Sequence, residues 1–193
     1  MSELLSMDDA RQAFKMLGEL AAKERLEVEL FLMGGAAILL GHPEIEQERG
    51  GLTHDVDAVF VKPDDPQLSK LRGLIGEVQQ ALGLPAGWLN DSVLKFVRKR
   101  SDGQVIYQAK GILVRCATDL QLLGSKLGLE RRPTDLFDQK FMFNKVCDDL
   151  KPESANELWS WVEKYVPSDR LKVARLGLTA LWSNRYGKKD ADH

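Results

Sequence analysis

Two carboxylates one residue apart, Asp55 and Asp57, stand about twenty positions after a paired glycine, Gly34-Gly35. Asp55-Val56-Asp57-Ala58-Val59-Phe60-Val61 is β-rich towards its end and stops before Lys62-Pro63. It therefore reads as a strand, and alternation puts both acids on one face. Like charges held together need a cation. A hard divalent ion such as Mg²⁺ takes a few carboxylates together with phosphate oxygens and water, which suits a nucleoside triphosphate. The glycines complement the pair: without Cβ atoms, the backbone at a strand-to-helix turn can approach a phosphate and aim amides at it. Either feature alone is common, and their order and placement on successive elements give the combination its weight.

The elements that must hold these residues follow from pattern. Val28 to Met33 is a short apolar run ending at the glycines, a buried strand feeding a tight turn, and Ala36 to Leu40 forms a short buried helix that stops at Gly41. Ser6, with Asp8 and Asp9, starts an amphipathic helix from about Met7 to Arg25. Glu44 to Thr53 has no apolar period and reads as a loop. Leu68, Leu71, Ile75, Val78 and Leu82 make one stripe of a helix from Pro66 to Gly83. Trp88-Leu89-Asn90-Asp91 then opens a further structured piece. Asp102-Gly103 is a turn dipeptide, and Ile106 to Tyr107 pairs with Ile112 to Cys116 through a turn near Lys110-Gly111, an antiparallel part of the sheet.

Beyond Cys116 the pattern is helical. Thr118 and Gln121 form a capping box, Thr134 after Pro133 caps another helix, and Ser154 with Glu157 and Ser168 with Asp169 start two more. The basic run Lys95, Arg98, Lys99 and Arg100 reads as an exposed helix end, with contact to RNA as its alternative, and Arg131, Arg132, Asp135 and Asp138 read as a solvated patch of alternating charge. Trp159, Trp161 and Trp182 read as interhelical core or an interface, and Lys188 to His193 as a frayed end.

Composition limits the function classes. The 193 residues carry 27 Lys plus Arg against 29 Asp plus Glu, a net charge of −2, so no global field marks a nucleic-acid or membrane-surface protein. Hydrophobic residues at 44% are those of a folded globular chain. No apolar run approaches the ~20 residues that span a bilayer, and acids occupy the place of a basic leader, so a cytoplasmic protein is expected. Cys116 and Cys147 have no metal spacing and read as buried free thiols. Three histidines with no H-x-x-x-H spacing argue against zinc, although His54 flanks the acids. No Walker lysine follows the glycines, which removes a P-loop.

The order Gly34-Gly35-Ala36-Ala37 then Thr53-His54-Asp55-Val56-Asp57 resembles the nucleotidyltransferase-fold superfamily, whose signature is a Gly-Gly or Gly-Ser turn before an Asp-x-Asp or Asp-x-Glu pair. The form GG-x-A…T-x-D-x-D is similar to a bacterial group that includes abortive-infection-type toxins. Leu84-Pro85-x-x-Trp88-Leu89-Asn90-Asp91 is similar to a motif in one uncharacterised family of that kind. Asp119 to Leu127, with Lys126, and Asp135-Leu136-Phe137-Asp138 likewise resemble a helix lysine and an acidic pair found there. The matches run from about Val28 to Met142.

What the resemblance implies is an α/β (α+β) fold: a small mixed sheet flanked by helices in a nucleotidyltransferase-like core over residues 1–130, with a helical C-terminal region over 131–193 packed on it. It implies transfer of a nucleoside monophosphate from a triphosphate to an acceptor. Asp55 and Asp57 would be the catalytic, Mg²⁺-holding pair. Gly34, Gly35, Thr53, Asn90 and Lys126 would bind substrate, with Asn90 or Trp88 at base or sugar; the residues taken by themselves also read as a structural corner in which Trp88 fills core and Asn90 caps a helix. An RNA or protein acceptor, an antitoxin or a second copy would be the partners. Active members add a third carboxylate from a neighbouring strand, and the strands here contain none; Asp102 and Asp119 are the nearest stand-ins. A non-catalytic binding module, as in a toxin–antitoxin pair, is the alternative.

Overall fold

The computed structural model describes residues 4–93, 103–129 and 132–187. The chain divides into two compact units, Met1–Ala117 and Thr118–His193. The boundary thus falls ahead of the segment bearing Lys126, not at 130. The fold is a mixed α+β one.

The first unit is built on a five-stranded mixed sheet. In chain order its elements are β1 (Leu5–Ser6), α1 (Met7–Lys23), β2 (Val28–Met33), α2 (Gly34–Gly41), α3 (Glu46–Arg49), β3 (Leu52–Thr53), β4 (Val56–Lys62), α4 (Asp65–Leu82), β5 (Leu89–Asn90), β6 (Gln104–Ala109) and β7 (Ile112–Cys116). The main sheet has the order β5-β4-β2-β7-β6, and β1 pairs with β3 in a separate ribbon. Strand β2 is central, antiparallel to β4 and parallel to β7. Its Val28, Leu30, Phe31 and Leu32 are buried on both faces, which is why its sequence runs apolar without alternation. Helix α1 begins with a full capping box, in which the Ser6 hydroxyl accepts from the Asp9 amide and the Asp9 carboxylate accepts from the Ser6 amide, and packs on α4 and β7.

The stretch from Glu44 to Thr53 is a correction. It holds a 3₁₀ turn, the single turn α3 and strand β3. Pieces of two to four residues are too short to print a period, so the sequence shows only polarity there.

The β6–β7 hairpin docks on α1 through two glycines. Gly111 has φ +86°, and a Cβ there would lie 2.4 Å from the Gly18 carbonyl oxygen and 2.7 Å from the Ala22 nitrogen. Backbone cannot yield as a side-chain tip can. Gly111→Ala is expected to lower stability by about 2–4 kcal/mol, from the left-handed backbone and from overpacking together. Gly50 has the same φ with nothing within 4 Å, so Gly50→Ala isolates the backbone part at about 1 kcal/mol. Urea unfolding of the two variants checks the difference.

The second unit is helical: α5 (Asp119–Lys126), α6 (Pro133–Leu150), α7 (Ala155–Val162) and α8 (Leu171–Tyr186), with 3₁₀ turns before α8. Thr118 and Gln121 form their capping box, and Ser154 accepts from the Glu157 amide. Thr134 is not a cap: Pro133 takes the first helical position and Arg132 the cap position, with no side-chain bond. Ser168 opens a 3₁₀ turn rather than the helix itself. Trp159 and Trp182 are buried, and so are the free thiols Cys116 and Cys147. Burial pushes the Cys147 thiol pKa up. No helix among the described residues is long and apolar enough to cross a membrane.

Candidate functional site

Strand register brings the glycines to the acids. Because β2 and β4 are antiparallel, with Met33 opposite Asp57, the end of β2 lies beside the start of β4. The chain leaves Met33 into Gly34, which has φ +72°, and a Cβ at Gly34 would sit 2.8 Å from the Asp57 Oδ2. Any side chain there meets the carboxylate while strained in the left-handed region. Gly34 and Gly35 open α2, whose apolar Ala36, Ala37, Ile38 and Leu39 are buried. No side chain caps this helix start, and no acid lies in its first turn. Its first amides therefore present a positive end beside Asp57.

On the far side of β4, strand β5 runs parallel, with Asn90 opposite Asp57. The Asn90 side-chain amide donates to Asp55 Oδ2 at 3.0 Å, and the Ser92 hydroxyl donates to Asp57 Oδ1 at 3.2 Å. Asn90 in turn accepts from the Ser92 amide at 3.0 Å, a side-chain turn of the Asx kind. Both carboxylates are thus met by one short segment, which places them on the same side of the sheet. Val56 and Ala58 are fully buried, whereas Asp55 and Asp57 are half-buried, in keeping with that alternation. Ser92 is the residue the sequence reading missed. Its signal was the Asn-Asp-Ser run, but only the β4–β5 register shows which carboxylate it meets.

The other expected positions fall as follows. Thr53 donates its hydroxyl to the Asp55 carbonyl oxygen at 3.2 Å, closing the turn into β4. His54 is exposed beside the pair. Of the two readings of Trp88 the structure shows the core one: it is fully buried, its indole N–H donates to the Ile75 carbonyl at 3.3 Å, and its ring meets Phe14. Asp91 pairs with Arg72 at 3.1 Å. Asp102, Arg131, the basic run Lys95 to Arg100 and Lys188 to His193 lie outside the described residues.

Lys126 belongs to the second unit. It is buried there, with Nζ at 2.7 Å from Asp138 Oδ2 and 3.1 Å from Asp135 Oδ1. The reading of Asp135 and Asp138 as a solvated patch is therefore corrected, since they are 4% and 0% exposed. Asp119, the other stand-in for a third acid, is the first residue of α5 in the same unit.

The pair offers carboxylate oxygens at the edge of a backbone notch that a Cβ would fill, a donor set that fits a hard cation carrying phosphate oxygens. Among the described residues, no group of three His, Cys, Asp or Glu converges as a metal cage. Compared with family models, with curated proteins and with solved structures, the chain matches none of them.

Proposed function

We propose that the protein is a Mg²⁺-dependent nucleotidyltransferase that moves a nucleoside monophosphate from a nucleoside triphosphate to an acceptor. The observation that carries this is the closeness of Gly34 to Asp57, a bare helix start against one of two same-side carboxylates. Asp55 and Asp57 would hold the metal, which when bound neutralises charge on the triphosphate and activates the attacking oxygen. The Gly34-Gly35 backbone receives the phosphates at the start of α2. Asn90 and Ser92 act behind the pair: each fixes one carboxylate oxygen and so orients the oxygens left for the ion.

Titration of the purified chain with ATP, CTP, GTP and UTP in Mg²⁺ tests the reading. Binding of at least one, lost on chelation and weakened in Asp57→Asn, is expected. Wild-type protein that binds none of the four ends it.

The second reading, a non-catalytic module of the same kind, such as one half of a toxin–antitoxin pair, is favoured by the lack of a third acid beside the pair among the described residues. Triphosphate binding without release of pyrophosphate, for every acceptor class offered, selects it.

A further inference from the structure

Strand β6 ends the sheet, and among the described residues no strand pairs with its outer edge. Its last residues face outwards in a defined way. The β6–β7 turn has two residues, Lys110 and Gly111, so Ala109 and Ile112 are the closing pair. In an antiparallel ladder, opposed pairs alternate between exchanging both hydrogen bonds and exchanging none. The pair that closes a two-residue turn exchanges both, which turns the Gln108 N–H and C=O away from β7.

A groove of ≈ 520 Å³ lies beside this edge, between β6 and α1. Ala22, Tyr107 and Ala109 line it, and Lys15, Lys23 and Lys110, with Glu19, edge it. Lys15, Glu19 and Lys23 fall four residues apart on one face of α1, so the row is set by the helix itself. The three lysines are exposed and have no ion pair among the described residues. Other cations of the first unit do: Lys62 with Glu27, Lys70 with Glu24, Arg72 with Asp91 and Arg115 with Glu29. Among the described residues, positive charge is thus left uncompensated beside the outward Gln108 N–H and C=O.

We propose that this groove receives an extended acidic peptide segment of a partner protein, which adds to β6 as a further strand and sets its carboxylates against Lys15, Lys23 and Lys110. Strand addition supplies the main-chain bonds, and the lysine row supplies the choice of an acidic sequence. A nucleic acid fits less well. The Tyr107 ring already packs against Phe14, with centroids 6.3 Å apart, and is no open stacking platform; Glu19 sits within the lysine row. The ladder shifts register between Val105 and Tyr107. Pairing is therefore confined to the Tyr107–Lys110 end, and the attraction is mainly ionic and weakened by salt.

The test uses the full chain and three synthetic peptides that alternate valine with glutamate, glutamine or lysine, followed by amide chemical shifts. The glutamate peptide is expected to bind about tenfold more tightly than the glutamine one at low salt, the decade that three exposed charge pairs of ordinary strength supply. Its shifts should map to Tyr107–Lys110 and to α1 from Lys15 to Lys23. Lys15→Gln/Lys23→Gln/Lys110→Gln should keep its melting profile and lose that preference, and N-methylation of alternate peptide amides should weaken binding. Failure of the glutamate peptide to bind, shifts elsewhere, or indifference to N-methylation overturns the proposal. So does a polyuridylate oligonucleotide that occupies the groove when the glutamate peptide does not.

Discussion

On the proposed function, Asp57→Asn should remove nearly all nucleotidyl transfer while leaving the fold intact. The amide keeps the shape of the carboxylate and one oxygen to accept from Ser92, so the hydrogen bond at 3.2 Å survives. What it loses is the negative charge facing Gly34. A metal-borne stabilisation of several kcal/mol in the transition state corresponds to roughly 10²–10³ in rate, and Asp57→Asn should cost that in kcat/KM. Asn90→Ala should cost less, about 10–100-fold, because it acts only through Asp55. Pyrophosphate release, measured with each triphosphate at several Mg²⁺ concentrations, checks both. Partial rescue of Asn90→Ala by raised Mg²⁺ marks a positioning residue. Equal losses in the two variants that no Mg²⁺ concentration changes would separate the carboxylates from metal binding.

Much of the frame behind that site was legible from pattern. The bounds of β2 came from one apolar run and two glycines, the Ser6 cap from a hydroxyl followed by two acids, and the Thr118 cap from a hydroxyl followed three residues later by Gln. These signals are local, and local bonds decide them. The same-side geometry of Asp55 and Asp57 was legible for the same reason, since alternation is a property of one strand. Register is not. That Met33 stands opposite Asp57, and Asn90 on its other flank, is a pairing between segments far apart in sequence. No periodicity within either segment reports it.

Tertiary packing also decides between the two readings of Trp88, whose indole finds the Ile75 carbonyl on α4. The errors have the same origin. Thr134 carries a capping hydroxyl, yet Pro133 fits the first helical position better because it has no amide to leave unbonded. Asp135 and Asp138 alternate with arginines and apolar residues as a surface would. Their cation, Lys126, lies on a different helix.

That misread triad carries the largest expected effect on stability. Lys126→Met should destabilise the second unit by about 3–5 kcal/mol, the range for removing one partner of a buried ion pair. Asp138 is fully buried and Asp135 nearly so, three residues apart on one helix, and without the ammonium two like charges remain out of water. The methionine has nearly the volume of the lysine stem, so lost packing contributes little. Urea unfolding followed by tryptophan emission reads this unit selectively, because Trp159, Trp161 and Trp182 lie in it and only Trp88 lies in the other. Replacing all three charges at once, Lys126→Met/Asp135→Leu/Asp138→Leu, should return stability to near wild type, since a packed apolar triad carries no desolvation penalty. A triple variant as unstable as the single one would show that the lysine's carbon stem, and not its charge, holds α5 to α6.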